Sequence, residues 1–234
     1  MKKASGRNDY DIRTQLTHAV DIVRVVGTKK FVKEVLPWHF RRRYIFYSMD
    51  LPMTTVSASP PPPHGFRLEL ADESDLETIM AVRPHYYSET QLTRRFKAGH
   101  ICFIGRVGDE PVHLRWHFVH ELYLPYLQRP LRLAPQEVWA DEGYTKPSYR
   151  KAGIFGYAGN LITTHLAEMG FQRLSCAFAS WNATPQHLDR ERGMSPVGEV
   201  RFRKYFSRSR YFFSGRVREC GDDAIEIAAE NMHS

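Results

Sequence analysis

Apolar positions recur along this chain with two different periods, and the change of period divides it. Leu16, Ala19, Val20, Val23 and Val26 fall three or four residues apart, as on one face of a helix, and Gly27 is placed to end it. A shorter stretch over 30–36 stops at Pro37, and aromatic residues over 38–47 then surround Arg41, Arg42 and Arg43. Pro60, Pro61, Pro62 and Pro63 favour an extended polyproline form and cannot continue a helix. The pattern predicts a basic helical N-terminal extension over 1–59, a linker over 60–64, a body over 65–218 and an acidic, loosely held tail over 219–234.

Past the prolines, the alternation over 66–70 reads as a strand. Ser74 with Glu77, and Ser88 with Gln91, offer capping boxes for two helices, one running to about Val82 and one closed by Gly99. Apolar runs over 100–107 and 112–119 flank Gly108, Asp109 and Glu110 in the manner of a hairpin, and the proline-punctuated stretch 123–135 reads as irregular structure. A strand over 137–145, a turn, a helix over 154–169 ended by Gly170, and a strand over 173–179 come next. Thr184 and Pro185 then open a short helix stopped by Gly193, and runs over 200–206 and 210–217 complete the sheet.

Composition narrows the function classes. With 234 residues, 42% hydrophobic and 25% charged, the chain can form one good core with an appendage. No run approaches the roughly eighteen apolar residues of a membrane span, and the start lacks the apolar segment of a secretory signal, so the expected location is cytoplasmic, with peripheral contact at the inner membrane face left open. Cys102, Cys176 and Cys220 form neither a disulfide framework nor a zinc spacing; His113 and His117 share a strand face but His120 does not, so no metal is expected. Hydrolase, zincin and nucleotidase motifs are missing. A net charge of +7 suits an anionic partner. The basic aromatic N-terminal segment reads first as a helical extension that docks on the body with its arginines solvated, and second as a foot on an anionic membrane surface, whereas no recognised motif points to nucleic acid.

One stretch carries chemistry. The strand over 137–145 runs into Lys146, Pro147, Ser148, Tyr149, Arg150, Lys151, Ala152, Gly153 and Ile154, after which a helix begins. Such a turn collects backbone N–H donors, cationic side chains and the positive end of a helix dipole, and it binds phosphate. Thr145-x-Pro147-x-x-Arg150-x-x-Gly153 resembles the pyrophosphate loop of the GNAT (N-acetyltransferase) superfamily, with Phe155 where that pattern has Gly or Ala. Asn182, Leu188, Gly193 and Met194 fall in register with later landmarks of the family, and Asp189 occupies the place of its tyrosine.

The resemblance implies an α+β fold with a mixed, mostly antiparallel sheet of about seven strands, whose fourth and fifth strands lie parallel and splay apart. It implies acetyl-CoA or another acyl-CoA as co-substrate, held by Tyr144, Thr145, Arg150, Lys151, Ala152, Gly153, Ile154, Phe155 and Asn182. The implied activity is acyl transfer to a small-molecule or peptide amine by direct attack. The proton carriers are expected among Asp141, Glu137 and Asp189, with Asp141 leading as base. An unbulged strand would put Glu137, Trp139, Asp141 and Gly143 on the face of Thr145, with Glu142 opposite, whereas the bulge that the resemblance implies as typical of the family would shift that register. Strand-end charges without a proton-transfer role are the alternative for these acids. A catalytically degenerate GNAT-fold protein, binding or membrane-associated, is the alternative for the whole chain.

Overall fold

The computed structural model describes residues 41–52, 61–183, 186, 187, 190, 192–205 and 208–229. The predicted helix over 16–26, Pro60, Thr184, Pro185, Leu188, Asp189 and the last five residues lie outside the described residues. The main sheet has eight strands in the order β10-β9-β1-β8-β7-β4-β3-β2. They are β1 (Arg41–Asp50), β2 (Phe66–Ala71), β3 (Ile101–Val107), β4 (Glu110–Phe118), β7 (Glu137–Thr145), β8 (Arg173–Ala179), β9 (Ser195–Tyr205) and β10 (Arg208–Gly215). A second sheet, ordered β11-β12-β6-β5, is built from β5 (Glu121–Leu124), β6 (Arg129–Arg132), β11 (Val217–Cys220) and β12 (Ala224–Ile227).

Helices α1 (Leu76–Val82) and α2 (Glu89–Lys97) join β2 to β3, and α3 (Ile154–Glu168) joins β7 to β8. The first capping box forms two residues earlier than the sequence spacing places it: Asp72 and Asp75 cap a short 3-10 turn that leads into α1. Ser88 caps α2 through the N–H of Gln91.

Apolar side chains fill both sides of the main sheet. Trp116, Trp139, Phe46 and Phe202 belong to a cluster that also takes in residues of α1, α2 and the second sheet. Val138, Ala140, Phe103 and Tyr47 pack on the other side with Ile162 and Leu166 of α3. The parallel pair β7–β8 sits among antiparallel neighbours, which is the mixed layout implied by the resemblance.

Three expectations are corrected. Residues 41–50, assigned above to a helical extension, form an inner strand between β8 and β9. Tyr44 and Phe46 are buried on one face and Tyr47 and Met49 in the other cluster, so this strand is apolar on both sides, as an inner strand must be. Stretch 123–135 contains β6 and the end of β5 rather than irregular structure alone. The supposed tail carries β11 and β12, because Ala224, Ile225 and Ile227 are buried while Glu219 and Glu226 are paired with Arg129 and Arg218.

Candidate functional site

Strands β7 and β8 begin zipped and then part. Glu137, Val138 and Trp139 pair with Arg173, Leu174 and Ser175, but β7 continues to Thr145 and β8 to Ala179 without further pairing between them. On its far side β7 stays bonded to β4 as far as Thr145, and β8 stays bonded to β1. The inner edges of both strands therefore open a wedge in the middle of the sheet, where main-chain groups face a gap instead of each other. Gly143, deep in the sheet order, is exposed.

A bulge shapes the β7 side. Asp141 pairs with Trp116 and Tyr144 with Leu114, so Glu142 and Gly143 together oppose Arg115. Of the two registers open from the sequence, the bulged one holds: Tyr144 takes the face of Trp139 and Asp141, and Gly143 turns toward α3. Glu142 adopts a left-handed backbone (φ 49°), a conformation that costs a non-glycine residue on the order of 1–3 kcal/mol. Its side chain, only 6% exposed, offsets that cost by accepting from Arg95 at 2.7 and 2.8 Å and from the Tyr87 hydroxyl at 2.9 Å.

The acids of β7 are separated by this geometry. Glu137 lies in the zipped segment, buried, where its Oε1 accepts from Ser175 Oγ at 2.6 Å and its Oε2 from the Ala134 N–H at 3.3 Å. Asp141 lies where the strands have parted; it is half-buried and its Oδ1 accepts the Glu142 N–H at 2.7 Å. Burial, followed by the neighbouring Glu142 charge, pushes its pKa up to about 6. Tyr44 and Tyr126 stack at 4.3 Å, and burial, aided by the Asp141 charge, holds both hydroxyls neutral.

The turn beyond β7 is held in a defined shape. Pro147–Tyr149 makes a 3-10 turn tied down by Glu110, which accepts from Tyr149 at 2.7 Å and from Lys146 at 3.1 Å. Lys151 and Gly153 are both left-handed (φ 66° and 73°), and Gly153 starts α3 with no side chain capping its free N–H groups. Alternating backbone of this kind gathers N–H donors into an anion-binding concavity at the positive helix end. Arg150 and Lys151 are exposed beside it; Arg150 Nε donates to the Thr145 carbonyl at 3.1 Å, and Lys151 has no partner among the described residues. Ala152 lies between Lys151 and Gly153, and Ile154 is buried.

Phe155 does not crowd this concavity. Its ring turns inward, against His113 and under the Arg115 guanidinium, and a Cβ on Gly143 would stand 3.0 Å from it. Gly143 thus makes the room that Phe155 uses. Thr145 is turned to the same side, its Oγ1 2.8 Å from His113 Nδ1, while the Tyr144 ring lies between the guanidiniums of Arg83 and Arg150. Asn182 closes a turn at the end of β8 through its N–H to the Ala179 carbonyl, at the mouth of the wedge.

Sequence reasoning missed the Arg95–Glu142 pair, Tyr44 and Tyr126, and Arg115. Arg115 is 5% exposed and has no hydrogen-bonding partner among the described residues. Its signal was present, since it stands two residues from His113 and from His117 on the face of β4 opposite Leu114 and Trp116. Burial, then Arg115, lowers the His113 pKa to about 3 and depresses that of His117 as well. Among the described residues no group of three or more His, Cys, Asp or Glu is arranged to hold a metal ion, and no helix is long and apolar enough to cross a membrane.

No family model matches the chain, and no curated protein sequence matches it. Solved structures similar to it include several GNAT N-acetyltransferases. A GCN5-related N-acetyltransferase from Sphaerobacter thermophilus is 12% identical over 80% of this chain and 56% of its own, with a TM-score of 0.47. A tandem GNAT protein from the clavulanic acid biosynthesis pathway is 12% identical over 74% of this chain and 52% of its own, at 0.46. The enzyme AAC(6')-Iy, in complex with a bisubstrate analogue, CoA-S-monomethyl-acetylneamine, is 14% identical over 62% of this chain and 98% of its own, at 0.45. The chain spans about half the length of the first two.

Proposed function

We propose that this protein, whose fold is GNAT-like, transfers an acyl group from acetyl-CoA or a related acyl-CoA to a small-molecule or peptide amine. The observation that carries the reading is the parting of β7 and β8 directly below a left-handed, glycine-opened turn at the start of α3. A long carrier with an anionic end fits such a place: the turn takes the diphosphate, and the unpaired edge of β7 offers main-chain partners to amide groups along the arm. Arg150, Lys151 and the N–H groups around Gly153 are the diphosphate ligands, and Gly143 leaves the edge of β7 clear.

In the reaction the amine nitrogen attacks the thioester carbonyl carbon, the C–S bond breaks, and the proton lost by the amine goes to a base. Asp141 is that base. It lies on the parted segment, and its pKa of about 6 keeps it mostly ionised at neutral pH while leaving it basic enough to accept a proton. Solvent protonates the departing thiolate, and Asp141 then releases its proton to solvent. Glu137 is too far along the zipped segment to share this work, roughly 13 Å away by strand rise. Asp189 has no step in this scheme.

Calorimetry with acetyl-CoA, followed by CoA release with a panel of amines, tests the reading. Binding and turnover are expected, and R150E/K151E is expected to weaken acetyl-CoA by on the order of 100-fold, two charge-assisted contacts being reversed, with little change in melting temperature. Unchanged affinity would remove the turn from the site. Binding without turnover on any amine would favour the degenerate binder.

A further inference from the structure

The face of the main sheet that packs on α3 changes character toward its β10 edge. Val200 and Phe202 of β9 are buried on one side, while Arg201 and Arg203, on the other, are exposed. Register extends this row over three strands. Arg203 has Arg41 opposite it on β1 and Arg210 opposite it on β10, and Arg201 lies between Arg43 and Phe212. Like charges directly opposite on neighbouring strands repel and weaken a sheet. One acid answers them on this face: Glu199 accepts from Arg43 at 2.7 Å and from Arg201 at 2.6 Å. Arg203 and Arg210 have no hydrogen bond or ion pair among the described residues, and the Arg203 guanidinium sits 5.6 Å from the ring centroid of Phe212, which is 48% exposed.

Protection of an exposed sheet edge does not account for this pattern. Charges that blunt an edge belong on the edge strand. Here the arginines run inward through β9 to β1, third from the edge. We propose that this face is a docking surface for an anionic phospholipid bilayer. Arginine forks match phosphate oxygens, and their two-dimensional spacing, about 5 Å across strands and about 7 Å along them, presents charge to a plane rather than to a single line of phosphates. An exposed phenylalanine among guanidiniums suits the headgroup boundary, where apolar rings and cationic tips meet different phases.

The test is co-sedimentation of the full chain with vesicles of phosphatidylcholine alone and of phosphatidylcholine mixed with phosphatidylglycerol. Binding to the anionic vesicles only, weakening as salt rises, is expected. R203Q/R210Q is expected to reduce partition about 25-fold, since each arginine near an anionic surface contributes about fivefold. K97Q, on the exposed end of α2, is expected to bind as wild type. Should the double variant melt early, R210Q alone on the edge strand reads the same effect at about fivefold. The proposal is overturned if R203Q/R210Q keeps wild-type partition, if neither vesicle binds, or if a single-stranded oligonucleotide competes the protein off the vesicles. Acetyl-CoA calorimetry is independent of all three results, so failure here leaves the acyltransfer reading standing, and the reverse.

Discussion

Two halves of β7 share a backbone and little else. Over 137–139 the strand is locked to β8 and Glu137 is sealed between Ser175 and the Ala134 N–H. Over 140–145 it keeps β4 and loses β8, bulges at Glu142, and exposes Gly143. Three carboxylates within six residues consequently meet three fates: Glu137 is fixed by hydrogen bonds, Glu142 is matched by Arg95, and Asp141 is left basic by burial and by its neighbour's charge. The difference teaches that residue type alone does not make a base. In the proposed mechanism, position relative to the point where the strands separate does.

The sharpest way to break this contrast is Asp141→Asn, which is expected to lower kcat by about 10²- to 10⁴-fold while leaving acetyl-CoA affinity unchanged. Because the base must be ionised, wild-type kcat/KM should climb as pH rises through about 6 and then level off. A variant that turns over like wild type would take Asp141 out of the mechanism. Next in size is Glu142→Ala, expected to cost about 3–5 kcal/mol in urea unfolding, because it strands the buried Arg95 charge. Pairing it with Arg95→Met should recover much of that loss; a double variant no better than the single would mean that the bulge itself was lost.

Glu137→Gln should cost only about 1–2 kcal/mol and leave kcat within twofold. A large fall in kcat would erase the distinction between the halves. The smallest effect is read from pH. His113, opposite Thr145 on the open half, has a folded pKa near 3 and an unfolded one near 6.5, so between these values the unfolded chain takes up the proton and stability falls as pH falls. From pH 6.5 to 5.5 this amounts to about 1 kcal/mol, and His113→Gln should flatten it. Asp141 opposes the trend, since a carboxyl with a raised pKa loses stability as pH climbs from about 4 to 6.

Much of this was legible in the sequence. Capping signals located α1 and α2, helical period and Gly170 located α3, a turn between apolar runs located the hairpin β3–β4, and the turn 146–153 was marked by its glycine and its cations. Local pattern could not reveal partners distant in the chain. Residues 41–50 read as an appendage because their strand neighbours come from 173–179 and 195–203, and β11 and β12 read as a tail because Arg129 and Arg132 supply their countercharges. Alternation alone left the bulge undecided, open only through the resemblance, and the Arg95 that meets Glu142 from α2 is again distant in the chain. Phe155 read only as a departure from the family pattern, and the space it uses comes from Gly143, twelve positions earlier.

The inner placement of β1 has a consequence for biosynthesis. Tyr44 pairs with Ala179 and Val200, so this segment must wait for residues far downstream to leave the ribosome before it finds either neighbour. During that interval a ribbon rich in aromatic residues is unshielded. Expression of a body-only fragment begun after the prolines would leave the facing borders of β8 and β9 without their shared partner, a ready template for intermolecular stacking.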